Sequence, residues 1–150
     1  MRENAWKKYN EETIKDVFSF CEDYKDFISK CKTERECVNE TIEIVKRQGY
    51  RDLNDYITSQ TPLKPGDKVY ANNYGKTIAL FVIGKDPIEA GLKILGAHID
   101  SPRIDLKQNP VYEDSDIALL DTHYYGGIKK YHWVATPLAM HGVVCKKDGS

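Results

Sequence analysis

The sequence predicts an α/β fold in which N-terminal helices lead into the strands of a sheet. Three observations carry this. Residues 10–49 hold two capped helical periodicities, and residues 68–83 read as a β-hairpin. Residues 93–97 are a short apolar run ending at His98, the pattern of a buried strand that delivers a side chain to a crevice.

Asn10 is placed to cap the first helix, with Glu11 and Glu12 favourable in its first turn. Ile14, Val17, Phe18, Cys21, Tyr24 and Ile28 recur at three- and four-residue steps and form one apolar face. Thr33 and Glu36 form a capping box for the second helix, whose buried face is Val38, Thr41, Ile42 and Val45. Gly49 supplies the left-handed stop. Two prolines and a glycine make residues 61–66 a loop. The hairpin follows as Lys68–Ala71, a turn at Asn72–Gly75, and Thr77–Ile83. Residues 78–83 are apolar on both faces, which predicts a central strand. Lys93–Ala97 predicts another buried strand, and alternation over Arg103–Lys107 a half-buried one. Residues 109–123 read as an acidic loop, and Tyr124-Tyr125-Gly126-Gly127 as an aromatic-glycine turn. Trp133–Val144 is mostly apolar and ends strand-like at Gly142–Cys145. Lys147-Asp148-Gly149 signals a hairpin turn with no partner strand after it, which fits either a truncated chain or a frayed end.

Composition narrows the function classes. The chain has 150 residues, the size of one ordinary domain, with 41% hydrophobic and 30% charged residues, a globular balance. A net charge of -1 provides no basic field for nucleic acid or an anionic membrane. The ten tyrosines have no basic stripe beside them and predict packing, not base stacking. No apolar run reaches the ~20 residues of a membrane span. The polar N-terminus lacks the apolar segment of a secretory signal, so the expected compartment is the cytoplasm. Cys21, Cys31, Cys37 and Cys145 match no zinc-knuckle spacing and are expected as reduced thiols acting as small hydrophobes.

The candidate chemistry rests on His98 and Asp100. Two residues apart on a strand, they point to the same side. A neutral imidazole ligates zinc, and a carboxylate two residues on can hold its other nitrogen and set the tautomer. Taken alone, the triplet is more ordinarily a buried, hydrogen-bonded histidine and an Asp100-Ser101-Pro102 turn, because a zinc site needs three or four ligands and only one is named. His123, His132 and His141, spaced nine apart, present no shared metal face and read as structural or surface residues. Gly126 and Gly127 read first as positions that permit unusual backbone angles, with a direct role in substrate binding as the second reading.

The stretch Leu95-Gly96-Ala97-His98-Ile99-Asp100-Ser101-Pro102-Arg103 closely resembles the metal-site segment of the aspartyl aminopeptidase family of zinc metallopeptidases. The resemblance continues through Ile104–Lys107, Tyr125-Gly126-Gly127, Trp133 and Pro137–Val144, and is less specific over residues 1–92. Ser101-Pro102 favours this group over the tetrahedral aminopeptidases, where an acidic residue follows the His-x-Asp element. The resemblance implies a bacterial-type member of the family, with residues 1–150 as its N-terminal portion. It implies N-terminal helices and the first strands of a zinc-exopeptidase catalytic sheet over residues 1–135. Residues 136–150 would then begin an inserted β-rich, dimerisation-type domain. It also implies two zinc ions about 3.5–4 Å apart that clamp the attacking hydroxide and the scissile carbonyl.

Carried over by position, His98 is a metal ligand and Asp100 the carboxylate that orients it. The bridging aspartate, the glutamate base, the remaining carboxylate ligand and the last histidine have no counterpart before Ser150. Glu11 and Glu12, in a helix's first turn far from the match, are not that base. The full-length enzyme is expected to remove N-terminal residues from peptides, acidic ones by the family's name, and to assemble as a homo-oligomer. The 150-residue chain alone is expected to be inactive. The alternative is a non-catalytic remnant or interaction module that keeps only the first layer of the fold.

Overall fold

The computed structural model describes residues 3–150. It divides into two compact units, Met1–Gly96 and Ala97–Ser150. The first is mixed α/β, as expected. Helix α1 (Glu11–Lys30) begins where Asn10 accepts the Thr13 amide, and α2 (Glu34–Arg47) begins at the complete Thr33/Glu36 capping box. Glu36 Oε2 accepts the Thr33 amide at 3.0 Å, and Thr33 Oγ1 accepts the Glu36 amide at 3.3 Å. Helix α2 ends on Gly49 at φ +87°, with Gly49 N donating to Lys46 O and Tyr50 N to Val45 O. That pair of bonds satisfies two carbonyls that the helix end would otherwise leave orphaned.

Strand β1 (Arg51–Asp52) runs parallel to β2 (Lys68–Asn73), which pairs antiparallel with β3 (Thr77–Val82). Tyr74 and Gly75 both take positive φ, and Lys76 N donates to Asn73 O. The tight turn therefore spans Asn73–Lys76, one residue later than expected, and its hand matches the twist of the two strands. Arg35 of α2 donates to the Tyr74 carbonyl at 3.0 Å and ties helix to hairpin. A short helix the sequence reading missed, α3 (Leu53–Ser59), is capped by Asp52. The core of this unit is Cys31, Cys37, Val38, Val45, Val69 and Tyr70. Val38 and Val45 fall on the predicted face of α2, whereas the apolar face of α1 contributes no buried residue.

The structure differs from the expected central strand at 78–83 and the expected buried strand at 93–97. β3 is an edge strand, and Leu80, Phe81 and Val82 are exposed. Lys93–Ala97 forms no strand, and Ile94 and Leu95 are exposed. Strand propensity becomes a strand only when a ladder of hydrogen bonds accepts it, and among the described residues nothing pairs with this run.

In the second unit, β4 (Arg103–Asp114) and β5 (Ile117–Tyr125) form an antiparallel hairpin. The expected acidic loop over 109–123 is thus mostly strand. Ser115 and Asp116 hold φ +55° and +60°, a two-residue turn of the hairpin-compatible hand. The ladder shifts register between Leu106 and Val111. Pro110 lies in that gap, where it has no N–H to give. Lys107 Nζ meets Asp121 across the irregularity at 2.9 Å. The expected strand at Gly142–Cys145 does not form, and the C-terminal turn does, with Gly149 N bonded to Lys146 O.

Candidate metal-binding site

The hairpin register positions the candidate site. Arg103, the first residue of β4, lies opposite Tyr125, the last of β5. Gly126 then turns the chain at φ +74°, so close to Pro102 that an added Cβ would come within 3.4 Å of its Cα. The positive φ favours glycine here, whereas the approach to Pro102 would leave an added Cβ in ordinary van der Waals contact. Gly127 has no positive φ, so the expectation of unusual angles holds for Gly126 alone. The Arg103 guanidinium sits over the Tyr125 ring at 4.2 Å, and its Nε donates to Asp105 at 2.7 Å.

His98 and Asp100 stand just upstream of β4. No strand carries them, yet they meet. His98 Nδ1 is 2.9 Å from the Asp100 backbone carbonyl and 3.3 Å from Asp100 Oδ1. The shorter contact is to the main chain, so Asp100 holds the ring with its carbonyl as well as its carboxylate. A carbonyl oxygen only accepts, so Nδ1 carries the proton and the Nε2 lone pair of the neutral ring is left open. The His98 side chain is 83% exposed, which leaves that nitrogen accessible. The second carboxylate oxygen, Oδ2, accepts the Tyr125 hydroxyl at 2.9 Å. This bond above all holds the Asp100 carboxyl below its ordinary range; burial opposes it, and the Asp100 main chain and then His98 add smaller effects in the same direction as the bond.

The described residues contain no group of three or more His, Cys, Asp or Glu that could hold a metal ion. His98 could supply one ligand, and the described residues assemble no complete coordination shell. The other histidines lie apart from a shared face. His123 stacks on Tyr124 at 5.2 Å and His132 meets Tyr131 edge-on at 4.3 Å. His141 lies in the irregular stretch after Leu138. Glu11 and Glu12 sit in the first turn of α1. No disulfide joins the four cysteines; Cys31 and Cys37 are buried as small hydrophobes, whereas Cys21 and Cys145 are exposed. In the sequence Tyr125 stands out only as part of a turn and of the family resemblance, with no role attached. Its place beside Asp100 depends on the β4–β5 register, which was hidden while residues 109–123 read as a loop.

The fold is that of known aminopeptidases. The chain superposes with a TM-score of 0.89 on the crystal structure of aminopeptidase I from Borrelia burgdorferi, at 41% identity, covering 98% of this chain and 35% of that one. Aminopeptidase I from Clostridium acetobutylicum gives 0.81 at 59% identity, covering 100% and 33%. A probable M18 family aminopeptidase 1 of Clostridium acetobutylicum is 60% identical over 147 residues, 98% of this chain and 32% of the relative. Residues 27–150 match the aminopeptidase I zinc metalloprotease (M18) family model, and the chain belongs to that family. It spans about a third of the length of the curated relatives it matches, their N-terminal third.

Proposed function

We propose that this chain is the N-terminal portion of a zinc-dependent aminopeptidase that removes N-terminal residues from peptides. The observation that carries the reading is the His98–Asp100 contact. It fixes the proton on Nδ1 and presents Nε2 for a metal, the arrangement that zinc-ligating histidines use. Bound zinc would polarise the scissile carbonyl and lower the pKa of an attacking water. The role of His98 is to ligate, and that of Asp100 is to hold the imidazole in orientation and tautomer. The general base and the other ligands lie outside residues 1–150, so this chain by itself does not hydrolyse peptides.

Finer features of the reading follow the family resemblance. They are two zinc ions per site, a preference for acidic N-terminal residues and assembly as a homo-oligomer. Residues 1–135 belong to the catalytic domain, and 136–150 begin an inserted β-rich domain. A cytoplasmic location belongs to the same reading.

Zinc analysis and a peptidase assay on the 150-residue chain and on the gene product extended past Ser150 test the proposal. The extended protein should hold zinc and cleave. The short chain should do neither, and chelator-sensitive hydrolysis by it would contradict the proposal.

A further inference from the structure

We infer that Tyr125 is a positioning residue for the metal ligand, acting through Asp100. The inference rests on the reading of His98 as a ligand. The Asp100 carboxylate is held at both oxygens: Oδ1 faces His98 Nδ1 at 3.3 Å, and Oδ2 accepts the Tyr125 hydroxyl at 2.9 Å. A carboxylate free to rotate about its terminal torsion would present Oδ1 to the imidazole only part of the time. The phenol removes that freedom, because the phenol is itself fixed. Tyr125 is the cross-strand partner of Arg103, whose guanidinium covers its ring at 4.2 Å. Arg103 is in turn anchored on Asp105 at 2.7 Å. The Gly126 turn against Pro102 keeps the end of β5 beside the residues that follow Asp100. The hairpin thus transmits its register to a histidine that lies outside any strand. Support of this kind around a ligand's orienting carboxylate sets how firmly the lone pair is aimed.

The test is the tautomer of His98 in the 150-residue chain, read from long-range proton–nitrogen NMR correlations at about pH 8, above the ordinary histidine range. The native chain should show mainly Nδ1–H. Tyr125→Phe keeps the ring under Arg103 and removes only the hydroxyl. It should lower the ratio of Nδ1–H to Nε2–H only about threefold, a fraction of a full hydrogen bond's effect, because the Asp100 main-chain carbonyl still accepts from Nδ1. In an Asp100→Ala background the same change should do nothing, because the effect passes through that carboxylate. An unchanged ratio in Tyr125→Phe, with β4–β5 cross-strand NOEs intact, overturns the inference. If that variant loses those NOEs, Asp100→Ala alone decides. It keeps the Tyr125 ring, the ratio must fall there too, and an unchanged ratio again overturns the inference. The readout needs no metal, so a failure to bind zinc would sink the peptidase reading without altering this result.

Discussion

Truncating Val38 to alanine tests the core of the first unit. Val38 is fully buried (0% exposed) on the inner face of α2. The change deletes two methyl groups, worth ~1.6 kcal/mol at ~0.8 each in transfer free energy. A residual cavity of ~40 Å³ adds ~1 kcal/mol at ~24 cal/mol per Å³. Alanine's better helix propensity returns ~0.6 kcal/mol. The net expectation is a loss of about 2 kcal/mol, or about 1 M in the urea midpoint for a slope of ~2 kcal/mol/M. Urea unfolding followed by circular dichroism at 222 nm measures it, with Val144→Ala as the control. Val144 is 85% exposed and its truncation should stay within about 0.5 kcal/mol. If Val38→Ala proved as mild as Val144→Ala, the assignment of Val38 to the core would be wrong.

The capping box predicts that Thr33→Ala costs about 1 kcal/mol in the same assay, because it removes the acceptor of the Glu36 amide; no change would refute the box as a stabilising device. Burial, then the neighbouring Cys37, Glu40 and Glu36, push the Cys31 thiol up from 9.0 to about 11. Iodoacetamide at neutral pH should therefore modify exposed Cys21 and Cys145 well before Cys31, and mass spectrometry of the digested protein reads the order. The folded chain holds that proton more tightly than the unfolded chain. Its contribution is complete below about pH 9 and is lost as pH rises through about 11, so stability should fall across that alkaline window.

What was legible in the sequence was local. The caps of α1 and α2, the Gly49 stop and the first hairpin each depend on residues within a few positions of one another. The failures were non-local. Residues 78–83 and 93–97 have the composition of central strands, but a strand's place is decided by partners that the run itself does not encode. The β4–β5 hairpin was missed because its turn is Ser115-Asp116, a weaker signal than Asn-Gly for paired positive φ. That miss hid the Tyr125–Asp100 contact. The His98–Asp100 pair was legible by chemistry. Its geometry differs from the strand argument, since the pair meets in an irregular segment and its shortest contact is to a main-chain carbonyl.

Under the proposed function, His98 is one metal ligand of a site that a longer protein completes. The most direct measurement compares the gene product extended past Ser150 with its His98→Ala variant, for zinc content and for release of N-terminal residues from peptides. The account predicts bound zinc and chelator-sensitive hydrolysis in the native protein. In the variant it predicts depleted zinc and a rate at least ~100-fold lower, the upper end of what removing a residue that merely orients a ligand costs. A variant that kept both its zinc and its activity would contradict the assignment of His98, and a native protein with neither would contradict the proposed function.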